Sequence, residues 1–242
     1  MTIPFNLIIN ADDFGASPAK NAAISKCFAL GIINSTSMMA NMGSFREAVQ
    51  LGRENHFQDK IGLHANLTEG KPLTDLSNTK LVNGKGVFMN EMSDKKFVYL
   101  SGEEKKRVRS EIEAQLNELY VNNITPTHIN SHHHVHTLPW LAPVFLEVAK
   151  KFNIPIRIAQ TWNKNNNILV PLYRSILNGV YKKNKLNFTD RFETLESYRE
   201  SIAKKGKVQE LTEIMVHPDM DPNNEICDSY DGCSLEKELS AL

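Results

Sequence analysis

The sequence predicts an α/β protein in which mainly parallel strands form a barrel that is closed or nearly closed. Three observations support this fold class. Segments with strand-like and helix-like hydrophobic patterns alternate along the chain, as they do in βαβ units. Polar residues that can bind ligands recur directly after the strand-like segments, at the edge where such barrels keep their active sites. No repeat, low-complexity tract or linker divides the chain, so residues 1–242 are expected to form a single domain.

Composition narrows the class of function. The chain has 28 Lys and Arg against 28 Asp and Glu, and this balance gives no electrostatic reason to expect a nucleic acid or an anionic membrane as partner. No apolar run approaches the roughly 20 residues that cross a bilayer, and the N-terminus lacks a signal-peptide pattern. Three cysteines without CxxC spacing argue against a disulfide framework. We therefore expect a cytoplasmic protein.

The first predicted strand, Phe5–Ile9, ends in the polar stretch Asn10–Gly15, and a helix opened by Ser17-Pro18 follows. A buried apolar run, a turn and a helix-start pattern support this order. Asp12 and Asp13 then lie at the carboxyl end of the strand. Two adjacent acids fit either a helix cap with a solvated partner or a catalytic pair, in which one carboxylate binds a cation and the other accepts a proton.

The next segments continue the alternation. Gly31–Met39 is predicted to be a second strand, Ser44–Arg53 a second helix and Lys60–Thr68 a third strand, with His64 near its end. A single histidine in a strand is more often a core residue than a ligand. His64, however, repeats the position of the aspartates at the carboxyl end of a strand. After a long loop, an apolar stripe predicts a helix at Glu103–Tyr120.

The most informative stretch is Thr127–Thr137, which reads THINSHHHVHT and holds five of the eight histidines. The apolar approach Ile124–Ile129 predicts a strand that runs into it, and imidazole is a common ligand of first-row metals. In an extended chain alternate side chains share a face, so His132, His134 and His136 would lie together. At most one or two of the histidines can meet one ion. The alternative is a polar turn with packed or solvated rings.

The chain after the histidines is predicted to add one helix and one strand. Leu141–Phe152 has the pattern of an amphipathic helix, and Pro155–Ala159 has that of a strand carrying Arg157. A guanidinium in this strand fits two interpretations, a surface ion pair or a partner that holds Asp12 in place.

The last part of the chain is less regular. Residues 160–189 are rich in Asn and Lys and give no clear order. Glu213–Pro218 is a last clear strand, and His217 closes it. The acidic stretch Asp219–Ser234 is predicted to be a loop, and Leu235–Leu242 begins a helix that suggests a further terminal element. The scattered aromatic residues of the irregular part, which suit either a sugar face or ordinary packing, are Trp162, Tyr173 and Tyr181.

These strand ends are predicted to bring carboxylates and imidazoles to one end of the barrel. One carboxylate and two imidazoles around a divalent ion leave open positions for water and substrate, as in catalytic sites. Such an ion lowers the pKa of bound water and polarises a carbonyl oxygen. A second carboxylate then serves as base and a protonated histidine as acid, so the set favours hydrolysis of an amide or ester.

Four motifs carry a resemblance to a known family. They are NADDFG at Asn10–Gly15, GLHANLTEGKPL at Gly62–Leu73, THINSHHHVH at Thr127–His136 and MVHP at Met215–Pro218. In residues and order they resemble the YdjC family of carbohydrate deacetylases, which includes a chitooligosaccharide deacetylase. The resemblance implies a single-domain divergent (β/α) barrel with mainly parallel strands, related to polysaccharide deacetylases. It also implies a metal-dependent hydrolase that removes acetyl groups from N-acetylated sugars by attack of metal-bound water.

The resemblance implies that Asp13, His64 and His132 bind one divalent ion, usually Mg²⁺ in this family. Two imidazoles and a carboxylate suit Zn²⁺ or Co²⁺ better than the oxygen-preferring Mg²⁺, so we expect Zn²⁺ to bind at least as tightly. Asn130 stands where the family has Asp. If that Asp holds a ligand histidine, an amide in its place orients the ring but raises its basicity less, which predicts a lower metal affinity or rate.

By the same resemblance Asp12 is the general base, His217 the general acid and Arg157 a residue that orients Asp12, although Asp12 and Asp13 can exchange roles. The expected partner is an N-acetylated mono- or oligosaccharide, and a homodimer is expected from the resemblance alone. Two other interpretations stay open. One is a metallo-phosphoesterase on a similar barrel, which usually needs more ligands for two or three ions. The other is a non-catalytic relative that binds sugar or metal.

Overall fold

The computed structural model describes residues 3–161, 168–206, 208–230 and 232–240. In these residues a curled sheet of six parallel strands has the order β4-β3-β2-β1-β6-β5, which agrees with the predicted α/β class. Its strands are β1 (Leu7–Phe14), β2 (Ser35–Met38), β3 (Ile61–Ala65), β4 (Ile129–Ser131), β5 (Arg191–Thr194) and β6 (Thr212–Val216).

Helices pack around the sheet. They are α1 (Pro18–Leu30), α2 (Phe45–Glu54), α3 (Gly102–Val121), α4 (Ala142–Phe152), α5 (Leu169–Lys183), α6 (Leu195–Lys205) and α7 (Leu235–Ser240). The Ser17 hydroxyl accepts a hydrogen bond from the Lys20 amide at the start of α1, and Ser101 forms a reciprocal capping box with Glu104 at the start of α3. Such caps satisfy amides that the first turn of a helix leaves unpaired. None of the helices in the described ranges is long and apolar enough to cross a membrane.

The segment 155–161 links the two edges of the curled sheet. On one side the Arg157 amide donates to the Ile129 carbonyl of β4 at 2.8 Å. On the other side the Thr161 amide donates to the Phe192 carbonyl of β5 at 3.0 Å. The strand predicted for this part of the chain is therefore present only as isolated parallel bridges, yet it carries the Arg157 side chain into the middle of the barrel.

The last third of the described chain holds elements that differ from the sequence prediction. The sequence patterns assign none of α5, β5 and α6. The acidic stretch predicted as a loop contains an antiparallel hairpin, β7 (Pro218–Met220) paired with β8 (Ile226–Asp228), and the hairpin packs against α1. The hairpin was missed because its strands are only three residues long and lack an alternating apolar pattern.

Candidate metal and active site

An irregularity near the end of β1 places both aspartates in the same region. The register between β1 and β2 shifts between Ala11 and Phe14, and Asp13 has a φ of 70°, in the left-handed region that non-glycine residues seldom adopt. Neighbouring residues of a regular strand point to opposite faces, and a bulge re-aims one of them. Asp12 and Asp13 can therefore both contribute to a site at the carboxyl end of the sheet.

Three side chains bring donor atoms to a common point. Asp13 Oδ1 lies 3.2 Å from His64 Nε2 and 3.0 Å from His132 Nδ1, and the two nitrogens are 3.4 Å apart. Ligand atoms about 2.1 Å from one ion are about 3.0 Å apart in an octahedron and about 3.4 Å apart in a tetrahedron. Asp13 Oδ1 is buried and faces both ring nitrogens. The structure thus brings together the three residues predicted to be ligands, in a geometry that suits a cation.

The histidine stretch does not have the extended form that the sequence predicted. His132–Thr137 is a short 3₁₀ segment that is interrupted by a kink at His133 and His134, which both have a φ of 53°. Two left-handed residues in succession turn the chain, so side chains no longer alternate between faces. The prediction that His132, His134 and His136 share a face is therefore wrong.

The remaining histidines of the stretch have other partners. His133 Nδ1 lies 3.1 Å from the Thr68 hydroxyl, and the buried His136 has its Nδ1 2.7 Å from the Ser131 hydroxyl. Burial lowers the pKa of His134 to about 3, so this ring is neutral at physiological pH. Of these rings, His132 alone belongs to the ligand set with Asp13.

His64 is held from behind by polar side chains of the neighbouring strands. Its Nδ1 lies 2.7 Å from Asn130 Oδ1 in β4 and 3.2 Å from the Ser37 hydroxyl in β2. A hydrogen bond at one ring nitrogen orients the other toward a metal. The Nε2 atom of His64 accordingly faces Asp13. Ser37 was not selected from the sequence because serine in a strand carries no distinguishing pattern.

Glu69 is a further site residue that the sequence analysis did not select, although it lies in one of the four motifs. Its Oε1 is 3.4 Å from His132 Nε2, and a carboxylate behind a ligand histidine orients the ring. Burial opposes a charge on His132, but the Asp13 and Glu69 carboxylates outweigh it and raise the pKa of His132 to about 9. Glu69, His132 and His133 also form a possible cation-binding group. This group shares His132 with the candidate ligand set of Asp13 and His64.

A buried ion network lies beside the ligands. Arg157 donates two hydrogen bonds to Asp12, at 2.6 and 2.7 Å, and two to Glu213, at 2.9 and 2.7 Å. All three side chains are buried, so Arg157 pairs with Asp12 in the interior and not in a surface ion pair. Burial opposes ionisation of Asp12, but Arg157 outweighs it and holds the pKa of this carboxyl far below its usual range. Burial raises the pKa of Glu213, which the sequence analysis did not select.

His217 follows β6 and completes the group. Its Nε2 lies 4.0 Å from Asp12 Oδ2, and its backbone amide donates to Asp228 Oδ2 at 2.9 Å. The ring of Tyr230 contacts the His217 ring edge-on, with 4.3 Å between centroids. Burial lowers the pKa of His217, although Asp12, Asp13 and other carboxylates act in the opposite direction. Burial thus favours the neutral imidazole, whereas the carboxylates around it favour the protonated form that an acid needs.

The aromatic residues that follow position 160 pack against the histidine stretch. The Tyr173 hydroxyl donates to the Thr137 carbonyl at 2.8 Å, and the buried Tyr181 donates to the His136 carbonyl at 3.2 Å. These contacts correspond to the packing alternative and support the 3₁₀ helix. Trp162 lies outside the described residues.

Known proteins are similar to this chain over most of its length. Residues 6–242 match the family model described as YdjC-like protein. The chain is 34% identical over 215 residues to a carbohydrate deacetylase of Halalkalibacterium halodurans, covering 88% of this chain and 84% of the relative. It is 30% identical over 244 residues to a carbohydrate deacetylase of Vibrio parahaemolyticus, covering 96% and 85%.

A solved structure supports the fold. The crystal structure of a protein from Enterococcus faecalis matches with a TM-score of 0.73 at 24% identity, covering 98% of this chain and 89% of that chain. The likeness extends over the whole curled sheet and its helices. The family match and the relatives confirm the resemblance that the four motifs predicted: the chain belongs to the YdjC family.

Proposed function

We propose that this protein is a carbohydrate deacetylase that removes acetyl groups from N-acetylated mono- or oligosaccharides and uses one divalent ion. The observation that carries the proposal is the convergence of Asp13, His64 and His132 on one point beside the buried Asp12–Arg157 pair. The names of the relatives support the substrate class. Chitooligosaccharides are the substrates that the sequence resemblance favours.

The donor set supports a metal cofactor. Two imidazoles and one carboxylate would hold the ion, and the buried Asp13 Oδ1 faces both ring nitrogens. When bound, a divalent ion polarises the acetamido carbonyl and makes water more acidic. Mg²⁺ follows from the resemblance, whereas the nitrogen-rich donor set suits Zn²⁺ or Co²⁺.

Proton transfer falls to Asp12 and His217. Arg157 keeps Asp12 ionised, so this carboxylate can accept a proton from the attacking water but holds it only briefly. His217, whose Nε2 lies 4.0 Å from Asp12 Oδ2, receives this proton. It then delivers the proton to the amide nitrogen as the C–N bond breaks, and acetate and a free amino sugar leave. Arg157 orients Asp12 through two parallel hydrogen bonds.

Acetate release tests this proposal. The protein is incubated with diacetylchitobiose and, in separate reactions, Zn²⁺, Co²⁺ or Mg²⁺, and free acetate is measured. We expect release with at least one ion, and a loss of roughly 10²–10⁴-fold in turnover for Asp12→Asn with unchanged metal content. No acetate with any ion would argue against deacetylation of this substrate. Equal turnover in the wild type and Asp12→Asn would show that Asp12 is not the base.

The two alternatives make different predictions. A phosphoesterase of this kind needs two or three ions, whereas the two candidate ligand groups in the described residues share His132, so we expect one ion per chain. A non-catalytic relative has no need of an acid and a base, yet Asp12 and His217 lie side by side. We infer a cytoplasmic location and a homodimer from sequence and resemblance alone.

A further inference from the structure

Lys20 places a cation beside the candidate metal site from the first turn of α1. Its Nζ lies 3.4 Å from Asp13 Oδ2 and 3.7 Å from Asp219 Oδ2, and it donates to the Ser229 hydroxyl at 3.2 Å. The side chain is only 17% exposed. Asp219 lies in β7 and Ser229 directly follows β8. Lys20 therefore joins the β7–β8 hairpin to the candidate ligand Asp13.

The position of Lys20 in the helix is unfavourable by itself. The amides of the first turn form the positive end of the helix dipole, which favours acidic residues there and disfavours cations. The first turn of α1 contains no acidic residue. The carboxylates of Asp13 and Asp219 therefore stabilise the ammonium group, and the helix does not. Departures from a local preference are expected mainly at functional sites, so this contact points to a role for Lys20 beside Asp13.

The two oxygens of the Asp13 carboxylate face different partners. Oδ1 lies 3.2 Å from His64 Nε2 and 3.0 Å from His132 Nδ1, whereas Oδ2 lies 3.4 Å from Lys20 Nζ. A carboxylate can bind a cation through one oxygen or through both. The ammonium group has the same sign of charge as a metal ion and opposes the approach of an ion to Oδ2. The surroundings of Asp13 thus leave Oδ1 alone available to an ion.

We propose that Lys20 is a positioning residue that restricts Asp13 to one coordinating oxygen and thereby favours small divalent ions over larger ones. A small ion such as Zn²⁺ binds few ligands at short distances, about 2.0–2.2 Å for a carboxylate oxygen. Larger ions take more ligands at longer distances and gain from a second carboxylate oxygen. Lys20 contacts the ligand and not the ion, so it selects the ion through Asp13. The inference rests on the metal site of the proposed function.

The first test compares the affinities for two ions of equal charge. Zn²⁺ and Cd²⁺ both accept imidazole nitrogen and carboxylate oxygen, but Cd²⁺ is larger and readily binds both oxygens of a carboxylate. Removing the charge of Lys20 strengthens the attraction of the site for either ion, so the change in one affinity does not isolate the geometry of Asp13. The effect of charge cancels in the ratio of the two dissociation constants. A merely structural role for Lys20 would leave this ratio unchanged.

Both dissociation constants are measured by competition with a chromophoric chelator. We expect Lys20→Met to reduce the preference for Zn²⁺ over Cd²⁺ by about 10-fold, since partners of metal ligands change metal affinity by about 10–100-fold. The matched control is Lys26→Met, which removes an ammonium group from the same helix. Lys26 donates to the Asn224 carbonyl of the same hairpin at 3.3 Å. Its charge is exposed and screened by salt, so we expect the ratio to change by less than about twofold.

An unchanged ratio in Lys20→Met would overturn the proposal, and so would equal changes in the two variants. Thermal unfolding checks that both variants fold.

The second test needs no variant. In crystals of the wild-type protein grown with Cd²⁺, we expect Oδ1 of Asp13 alone to bind the ion while Oδ2 still faces Lys20. Two bound oxygens of Asp13 in the wild type would overturn the proposal, and this result decides if Lys20→Met does not fold. If the ion preference and the coordination are as expected but no acetate is released, the proposed function fails and the inference stands. Wild-type protein that binds neither ion would overturn both.

Discussion

Arg157 donates hydrogen bonds to two carboxyl groups, Asp12 and Glu213, and all three side chains lie in the interior. Removing one partner from a buried ion pair costs more than the pair itself contributes, because an uncompensated charge is left behind. Arg157 is therefore a structural element of the barrel as well as the group that orients Asp12. The two roles can be separated by measuring stability and metal binding independently.

We predict that Arg157→Met lowers the free energy of unfolding by about 3–5 kcal/mol, measured by urea denaturation. Methionine fills much of the volume but leaves Asp12 and Glu213 without a cation. The matched control is Arg109→Met, which removes an exposed ion pair to Glu147 with a donor–acceptor distance of 2.6 Å. Exposed pairs contribute about 0–1 kcal/mol. Equal losses of unfolding free energy in the two variants would show that burial does not increase the contribution of the ion network to stability.

The raised pKa of His132 predicts that the metal affinity depends on pH. In the metal-free protein its pKa is about 9, so the ring carries a proton at pH 7 that must leave before Nδ1 can bind an ion. We expect about one proton released from His132 per ion at pH 7, and an apparent affinity that rises with pH until it levels off near pH 9. Calorimetric titration with Zn²⁺ in two buffers of different ionisation heat measures the release. A heat independent of the buffer would contradict this assignment.

At the scale of single elements, strand β3 approaches the following strand so closely that it needs a glycine. A Cβ added to Gly62 would overlap three atoms of the His128 ring. That ring is buried and stacks on Phe188 with 4.1 Å between centroids, so it has little room to move. His128 is therefore a packed core residue. Packed rings were the alternative to metal ligands that the sequence left open for the histidines.

We predict that Gly62→Ala destabilises the protein by about 2–3 kcal/mol through overpacking, whereas Gly179→Ala, inside α5 and with nothing within 4 Å of an added Cβ, stabilises it by up to about 1 kcal/mol. Chemical denaturation of the two variants measures both values. The two substitutions are thus expected to change the free energy of unfolding in opposite directions. A neutral Gly62→Ala would mean that the His128 ring can shift freely.

Elements whose boundaries depend on local chemistry were predicted well. The start of α1 at Ser17-Pro18 and the long helix α3 follow from caps and apolar stripes that neighbouring residues supply. Elements that depend on long-range contacts were not predicted. The 3₁₀ helix of His132–Thr137 contains two left-handed residues, and no local pattern predicts those because tertiary packing holds them. The same holds for β5, which pairs with β6.

At the scale of the whole molecule, the candidate ligands tie three parts of the sheet together. Asp13 comes from β1, His64 from β3 and His132 from the residue after β4, so they span about half of the sequence. Because parallel strands end at the same edge, residues far apart in the chain meet there. A bound ion would cross-link these strands, and its binding free energy would add to the stability of the folded state.

We predict that Zn²⁺ at about 100 times its dissociation constant stabilises the protein by about 2.7 kcal/mol, which corresponds to a rise of roughly 5–10 °C in Tm for a chain of this length. Removing the metal with a chelator reverses the shift. Asp13→Asn is expected to abolish it, while Glu91→Gln, a change to an exposed residue, leaves it unchanged. Scanning calorimetry with elemental analysis gives the shift and the number of ions. More than one ion per chain would favour the phosphoesterase alternative.

By itself the sequence determined the α/β class, the strand ends that carry Asp12, Asp13, His64 and His217, and the family, because hydrophobic period, turn chemistry and motif order are local properties of the chain. Only the tertiary structure decided which histidine of the stretch reaches Asp13. It also placed Glu69 beside His132 and Glu213 beside Arg157, at distances that a linear pattern does not contain. The reason is physical: the orientation of a side chain in a buried polar network depends on every donor and acceptor around it, and those come from strands brought together only by folding.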